Sequence, residues 1–537
     1  MKYHLAVLLL LLAFSATAQT LDLEKTYAVS KEAQKGFIHM VNSRVEDRQF
    51  DVVYRVRAKK NQAKFITYTF DTDFNFVKES EELIDMEKEL PEKYRPKKYR
   101  GENYSVEGLA VDPNMMGTLI LKRKVTNFKW SWFFGGYTVD VDVAEKLKAK
   151  TDDDKKLFYH SHIEDNTAGN VMVLAGEKGS GKDGWIDHQK NFHFLKYDIN
   201  LTKLADVSVN FETPHAVAAV YGYPTLDTDT KTDMIVVFAP LKIKNYTGPK
   251  ISSLKANEYT YVRVSYEGKL LERITFSSPN SIWFIDDFIL SKDGSVYLYG
   301  PANDETDDFY ESRLTYEGNE KKKWPRYQLG KIEKGKLQFV TSTSMDDFEA
   351  KLRVQPDGKK GDPYKGRRVA FTENVIGPNG DIILCGQNYG MLRNGKGQVI
   401  GRGYEDLVMF HFDAKGNLVS QYTMNKKYKG TSPDYNFFEF SSDGNFLYWS
   451  YFDVTGTKAV RELDVAIEKP LATPKMAKIS LKTGSFDKYS EYGGGDNFVH
   501  YGGITNYFKF QDANKVAYFG ENKKGSVLWF ARINLDK

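Results

Sequence analysis

Ser291-Lys292-Asp293-Gly294-Ser295-Val296-Tyr297-Leu298-Tyr299-Gly300 is the stretch on which the fold turns. Asp-Gly supplies the positive φ that a tight turn demands. The residues after it are β-formers, and a glycine closes the unit. Gly377-Pro378-Asn379-Gly380-Asp381-Ile382-Ile383-Leu384-Cys385-Gly386 repeats the pattern with the same glycine spacing. Ser442-Asp443-Gly444-Asn445-Phe446-Leu447-Tyr448-Trp449 opens the same way. Asp512 to Gly520 is a looser copy, and Gly169 to Gly176 looser still.

A second pattern follows the first. Tyr261 to Ile274, Val408 to Val419 and Met476 to Tyr489 each read as strand, glycine turn, strand. Lys196 to Val209 and Phe65 to Glu79 fit more loosely. Two hairpins per repeat make a four-stranded antiparallel unit, which hides both faces only by stacking on its neighbours. Radial stacking of such units is a β-propeller. The fold class expected is therefore all-β, a propeller of eight blades, with seven as the alternative. The blades are expected to start near Lys35, Tyr104, Lys156, Pro214, Ile282, Arg368, Asp434 and Phe498. The last unit, Ser526 to Lys537, stops where its outer strand should begin. Leu21 to Ser30 has strand composition and is expected to supply it, closing the ring.

The composition agrees. Among 537 residues, 34 Tyr, 35 Phe and 7 Trp make 14% aromatics, which suits half-buried pleated surfaces. A 41% hydrophobic share excludes disorder. The net charge of +4 gives no reason to expect nucleic acid or an anionic membrane as partner. The single cysteine, Cys385, excludes an internal disulfide and sits in an apolar strand pattern, where it reads as a small core residue.

Met1 to Gln19 reads as an address. Lys2 is the positive n-region, Leu5 to Phe14 the apolar run and Ala16-Thr17-Ala18 the cleavage site. The run is too short for the ~20 residues a membrane span needs, and no later stretch qualifies. No cysteine stands at the site to carry lipid. Residues 1–18 are thus expected to be a signal peptide, and residues 19–537 a single propeller domain, exported to the periplasm or cell surface.

Insertions interrupt the repeats. Ser80 to Arg100 is charged, with a short helix expected from Glu81 to Leu90 before Pro91. Val354 to Arg368, Val460 to Lys475, Lys150 to Lys156 and Pro301 to Asp308 read as loops. Loops on a rigid ring are where binding sites concentrate.

Chemical motifs fail on inspection. Gly176 to Asp183 matches a phosphate cradle but ends in Asp183 where Ser or Thr should hold magnesium, and no helical period follows. His160, His162, His188, His193 and His215 cluster in sequence; His160 and His162 would share a strand face, but no full ligand set is visible. Asp227 to Asp233 is calcium-like for two positions, then carries Lys231. Asp286-Asp287, Asp304-Glu305, Asp307-Asp308 and Asp346-Asp347 are carboxylate pairs of the kind glycoside hydrolysis uses. Trp185 and Trp324 stand in loop-like context, where they could stack on sugars. Arg95 to Arg100, and Lys365 with Arg367 and Arg368, are basic pieces near tyrosines that read as solvated faces. No catalytic set, cofactor site or metal site is assigned.

The repeats resemble those of exported bacterial β-propeller proteins. There is no WD dipeptide, kelch double glycine or quinone-dehydrogenase docking motif. The resemblance selects no activity; the absence of catalytic motifs favours a non-catalytic envelope protein that scaffolds another envelope protein or complex. The alternative is a glycan-binding or glycan-hydrolysing propeller with carboxylates on its axis. The export reading has a direct check. The intact mass of the mature protein should correspond to a chain beginning at Gln19; a species retaining residues 1–18 contradicts it.

Overall fold

The computed structural model describes residues 20–535, apart from 45–46, 58–61, 86–106, 115–116, 132–135, 166–168, 179–188, 225–230, 242–256, 281, 304–322, 355–360, 427–429, 432, 434–435, 463–464, 488, 494–496, 501–506 and 511–513. The described residues form eight consecutive antiparallel strand sets. Their first strands begin at Phe37, Glu107, Leu157, His215, Ile282, Val369, Asn436 and Asn497, each within three residues of the expected start. Sheets 1, 3, 4 and 6 are four-stranded in plain sequence order, and three strands of sheet 2 are described. In sheet 5 the first strand is broken into Ile282–Trp283 and Asp287–Leu290. Sheets 7 and 8 are bridged by Asn497–His500, which pairs with a strand of each.

The turns are those the repeat requires. Gly294, Gly380 and Gly444 sit at φ +83°, +84° and +70°, where a Cβ would be strained. The closing glycines have a different task. A Cβ on Gly300 would lie 1.8 Å from the Phe284 carbonyl oxygen, and one on Gly386 2.2 Å from that of Ala370. In both sheets the first strand crosses directly over the glycine.

That crossing goes with an irregularity. The first strands of sheets 1, 3, 4 and 6 each carry a one-residue bulge, which leaves His39, His160, Ala218 and Thr372 as the extra residue. Sheet 5 breaks at the matching place, Phe284 to Asp286.

Among the described residues, sheets 2 to 7 each pack a face against the next, and sheet 8 against sheet 1. Seven apolar clusters span consecutive sheets. One joins sheets 2 and 3 through Leu109, Ile120, Val173 and Leu195. Others join 3 to 4, 4 to 5, 5 to 6, 6 to 7 and 7 to 8. The last joins sheet 8 to sheet 1, where Phe50, Phe70, Phe74, Phe519 and Phe530 meet. Phe530 lies 4.8 Å from Phe70 and 5.3 Å from Phe74, ring centre to ring centre. Cys385 is fully buried between sheets 6 and 7, as a core residue would be.

The N-terminal strand Thr20–Ala28 pairs antiparallel with Val527–Asn534, from Thr20 opposite Asn534 to Ala28 opposite Val527. Side chains reinforce it. Asp22 accepts from Arg532 at 2.7 Å and from Lys515 at 3.1 Å. Glu24 accepts from the Trp529 indole at 2.6 Å. Arg532 also reaches Asp73 of sheet 1 at 2.8 Å.

Two expectations are corrected. Glu81 to Asp85 is not helical: it ends the strand Phe76–Asp85, paired with Gln62–Asp71. The register continues to Asp85 opposite Gln62, and pairing outweighs the helix propensity of these residues. The remaining residues of that expected helix lie outside the described residues. Nor is Val460 to Lys475 a loop. Strands Phe446–Glu462 and Val465–Ser480 pair along their length, Glu462 opposite Val465.

Deleting residues 20–28 should therefore destabilise the protein by several kcal/mol, roughly a third of a typical ~5–15 kcal/mol total. Replacing Asp22 with Ala should cost about 1 kcal/mol. Thermal and urea unfolding of the two variants measure both.

Candidate functional site

First strands touch between sheets 2 and 3, 3 and 4, 4 and 5, and 6 and 7, whereas fourth strands expose apolar residues such as Leu83 and Leu271. The first strands therefore form the inner wall. Along sheets 4 to 8 that wall is stitched by side chains. Tyr221 stacks on Phe288 at 5.1 Å. Asn374 donates to the Tyr299 hydroxyl at 2.7 Å. Asn436 reaches Thr372 at 3.2 Å, and the Tyr507 hydroxyl donates to Glu439 at 3.1 Å. Lys509 pairs with the same carboxylate.

Four carboxylates stand on this wall: Asp286, Asp287, Glu373 and Glu439. Asp287 and Glu373 occupy equivalent repeat positions, opposite Tyr299 and Cys385, the residues just before the closing glycines. Asp286 lies in the break of sheet 5, its backbone N–H on the Tyr299 carbonyl. Its side chain is exposed, beside Asp287 and between buried Ile285 and Phe288. Desolvation, with the Asp287 charge beside it, pushes its carboxyl up to about 7, against the pull of Arg368. Burial also raises Asp287, although the Phe288 backbone N–H donates to it at 2.8 Å. Glu373 is raised by burial and then by Glu439. Of these groups Asp286, raised to about 7, is the one that can donate a proton near neutral pH.

Of the expected pairs, then, Asp286-Asp287 reaches the inner wall. Asp347 instead closes a capping box with Ser344 at the start of the short helix Met345–Ala350. Asp304-Glu305 and Asp307-Asp308 lie outside the described residues. Glu373 and Glu439 were missed in the sequence, because a lone Glu in a strand carries no spacing signal.

The histidines do not converge. The bulge at His160 breaks the shared face expected with His162. His160 bonds Gln189, and His162 bonds Tyr159 at 2.8 Å. His193 lies between Asp206 at 2.8 Å and Glu177 at 3.3 Å, and these outweigh burial to raise its pKa. His215 stacks on Phe211, and burial lowers it to about 4. His188 lies outside the described residues. Among the described residues no three His, Cys, Asp or Glu could hold a metal.

Other motifs dissolve likewise. Gly176 and Glu177 end a strand, and residues 179–183 of the cradle lookalike lie outside the described residues. Asp233 is committed to Arg263, at 2.7 and 2.9 Å. Trp324 is not a sugar platform but fully buried, edge-on to Phe284 at 4.8 Å. Trp283, Trp449 and Trp529 are also core, and Trp185 lies outside the described residues. Of the basic piece Lys365 to Arg368, Arg368 is buried while Lys365 and Arg367 are exposed. No helix among the described residues is long and apolar enough to cross a membrane.

No family model and no curated protein matches this chain. Among solved structures, an apocarotenoid oxygenase of Synechocystis is 12% identical over 95% of this chain and 94% of that one, with a TM-score of 0.27. The WD40 domain of SCAP from fission yeast is 8% identical over 96% and 98%, at 0.25. The exotype rhamnogalacturonan lyase YesX is 11% identical over 91% and 88%, at 0.24. At such TM-scores the fold rests on the strand pairing itself, and no activity is carried across.

The raised Asp286 makes stability pH-dependent. Its folded value lies above the ordinary 3.8, so between about pH 4 and 7 the folded chain holds the extra proton. This contribution falls as pH rises through that window and is flat above it. Melting temperatures of Asp286→Asn and wild type should converge near pH 4, with the variant higher at pH 8.

Proposed function

We propose that this protein is an exported, non-catalytic envelope scaffold: an eight-bladed ring, closed by its N-terminal strand, that binds another envelope protein or complex through one end. The N-terminal strand begins at Thr20, just past the Ala18 site, so removal of residues 1–18 would leave it whole. Export, the partner and ring closure are parts of this reading.

The observation that carries it is the inequality of the two ends. In an antiparallel sheet, connections from first to second strand and from third to fourth lie at one end. Those from second to third, and from sheet to sheet, lie at the other. In sheets 3 to 6 the first end is plain. Among its described connections, 198–202, 265–269, 291–295, 334–335, 377–381 and 413–417 are tight turns. At the second end the described residues add the short helix Met345–Ala350 and the segments 323–325 and 361–368. Pro301 to Asn303, expected as part of a loop, instead end the strand Val296–Asn303. At that end the strands Ile382–Arg393 and Val399–Phe412 run on as an arm. A Cβ added at Gly390, Gly395, Gly397 or Gly401 would meet open space, so the faces of the arm at these positions are uncovered. Its Val399 and Ile400 are 52% and 66% exposed. Exposed apolar residues on a projecting arm suit a protein surface, which needs roughly 1,200–2,000 Å² for a stable complex.

A second reading is favoured by Asp286 alone. A carboxyl still protonated near neutrality is what glycoside hydrolysis asks of its general acid. No aromatic platform among the described tryptophans accompanies it.

Gly390 and Gly403 face one another in register, so residues 391–402 can be replaced by Asn-Gly without disturbing the sheet. Tagged protein, crosslinked in the envelope, should yield a stoichiometric partner that the trimmed variant loses while its melting temperature stays unchanged. Wild type that runs alone and cleaves an envelope glycan, with Asp286→Asn inactive, establishes the second reading instead.

A further inference from the structure

A cleft of about 460 Å³ opens at the elaborated end of sheet 5. Three chain segments build it, and backbone bonds fix them together. The Trp324 N–H donates to the Gly366 carbonyl at 2.9 Å, and the Met345 N–H to the Pro325 carbonyl at 3.2 Å. Gly366, at φ +72°, is required there: a Cβ would lie 2.0 Å from the Trp324 carbonyl oxygen. Trp324 and Tyr364 form a buried floor. The cleft therefore exists before any ligand arrives, and its volume falls in the ordinary range for small-molecule sites, about 300–1,000 Å³.

Its charges are arranged by sign. Lys323 and Lys365 flank the Trp324–Gly366 bond, one residue from each end of it, and make a cationic wall. Asp346 and Glu349, three apart on the short helix, share one face and make an anionic wall. All four side chains are exposed, and none forms an ion pair among the described residues. Like charges stand together, and the opposite walls stay beyond the 4 Å reach of a salt bridge. None is needed by the fold, since the helix is capped by Ser344 and Asp347 instead.

We propose that this cleft binds a small dipolar molecule, one carrying a free amine and a free carboxylate on a short body, such as an amino acid or a dipeptide. The amine would face Asp346 and Glu349, the carboxylate would face Lys323 and Lys365, and the body would rest over the Trp324–Tyr364 floor. This site lies at the same end as the partner surface proposed above, but its ligand and its test do not depend on that reading.

Isothermal titration of the full mature chain with dialanine, N-acetyl-dialanine and dialanine amide tests the assignment. Dialanine should bind saturably, one per chain. Blocking either end should weaken binding about tenfold or more. The double variants Lys323→Met with Lys365→Met, and Asp346→Asn with Glu349→Gln, should each lose a similar factor while melting as wild type does. The two variants should also differ: the first should no longer distinguish dialanine from its amide, the second no longer dialanine from its acetylated form. No saturable binding of dialanine up to about 10 mM, or equal affinity in wild type and both variants, overturns the proposal.

Discussion

A four-stranded antiparallel sheet with apolar residues on both faces cannot be stable alone, and this constraint governs the whole chain. Each sheet must be covered twice, by the sheet before it and the sheet after it. The seven inter-sheet clusters are the consequence. Aromatic residues do most of the covering, because a ring fills the widening space between twisted sheets with few rotatable bonds. The closing glycines follow from the same demand. With no Cβ at Gly300 or Gly386, the first strand can bend inward over the second and reach its neighbours along the inner wall.

A linear chain must satisfy this constraint at its ends too, where a covering sheet would otherwise be incomplete. Here the two termini share one sheet, and the latch between them is both apolar and ionic. Phe530 packs on sheet 1 while Arg532, two residues on, links Asp22 of the N-terminal strand to Asp73 of sheet 1. Buried Tyr54 adds a hydrogen bond to Glu521 at 2.5 Å, across 467 residues of sequence. Burial works against the Asp22 charge, but the Lys515 and Arg532 hydrogen bonds prevail and hold its pKa below the ordinary value. This contribution is present above about pH 4 and lost as pH falls further, opposite in sign to that of Asp286.

Much of this architecture was legible in the sequence because it is written in local signals. Asp-Gly and Asn-Gly turns, each with a glycine six residues on in two repeats, mark strand boundaries, and the blade starts followed from them. The inner wall was not legible. Glu373 and Glu439 meet only because sheets 6 and 7 are neighbours, and Asp286 matters only because the strand breaks there. The His160–His162 pair misled for a related reason: strict alternation assumes a regular strand, and a single bulged residue cancels it. Trp324 misled because its flanks, Lys323 and Pro325, are loop residues although the indole itself is core. Which insertions share an end required strand order, which no local motif records.

The sheets thus carry two kinds of surface: tight turns at one end, and at the other the arm and the cleft beside the short helix Met345–Ala350. All of it depends on the two termini being joined in one sheet. Hydrogen exchange of the intact protein, followed by mass spectrometry, reads that join directly. Amides of residues 21–28 should exchange as slowly as those of residues 527–534, and the two segments should open together as denaturant is raised. Exchange of residues 21–28 at the rate of a free chain, with residues 527–534 still protected, would contradict the account.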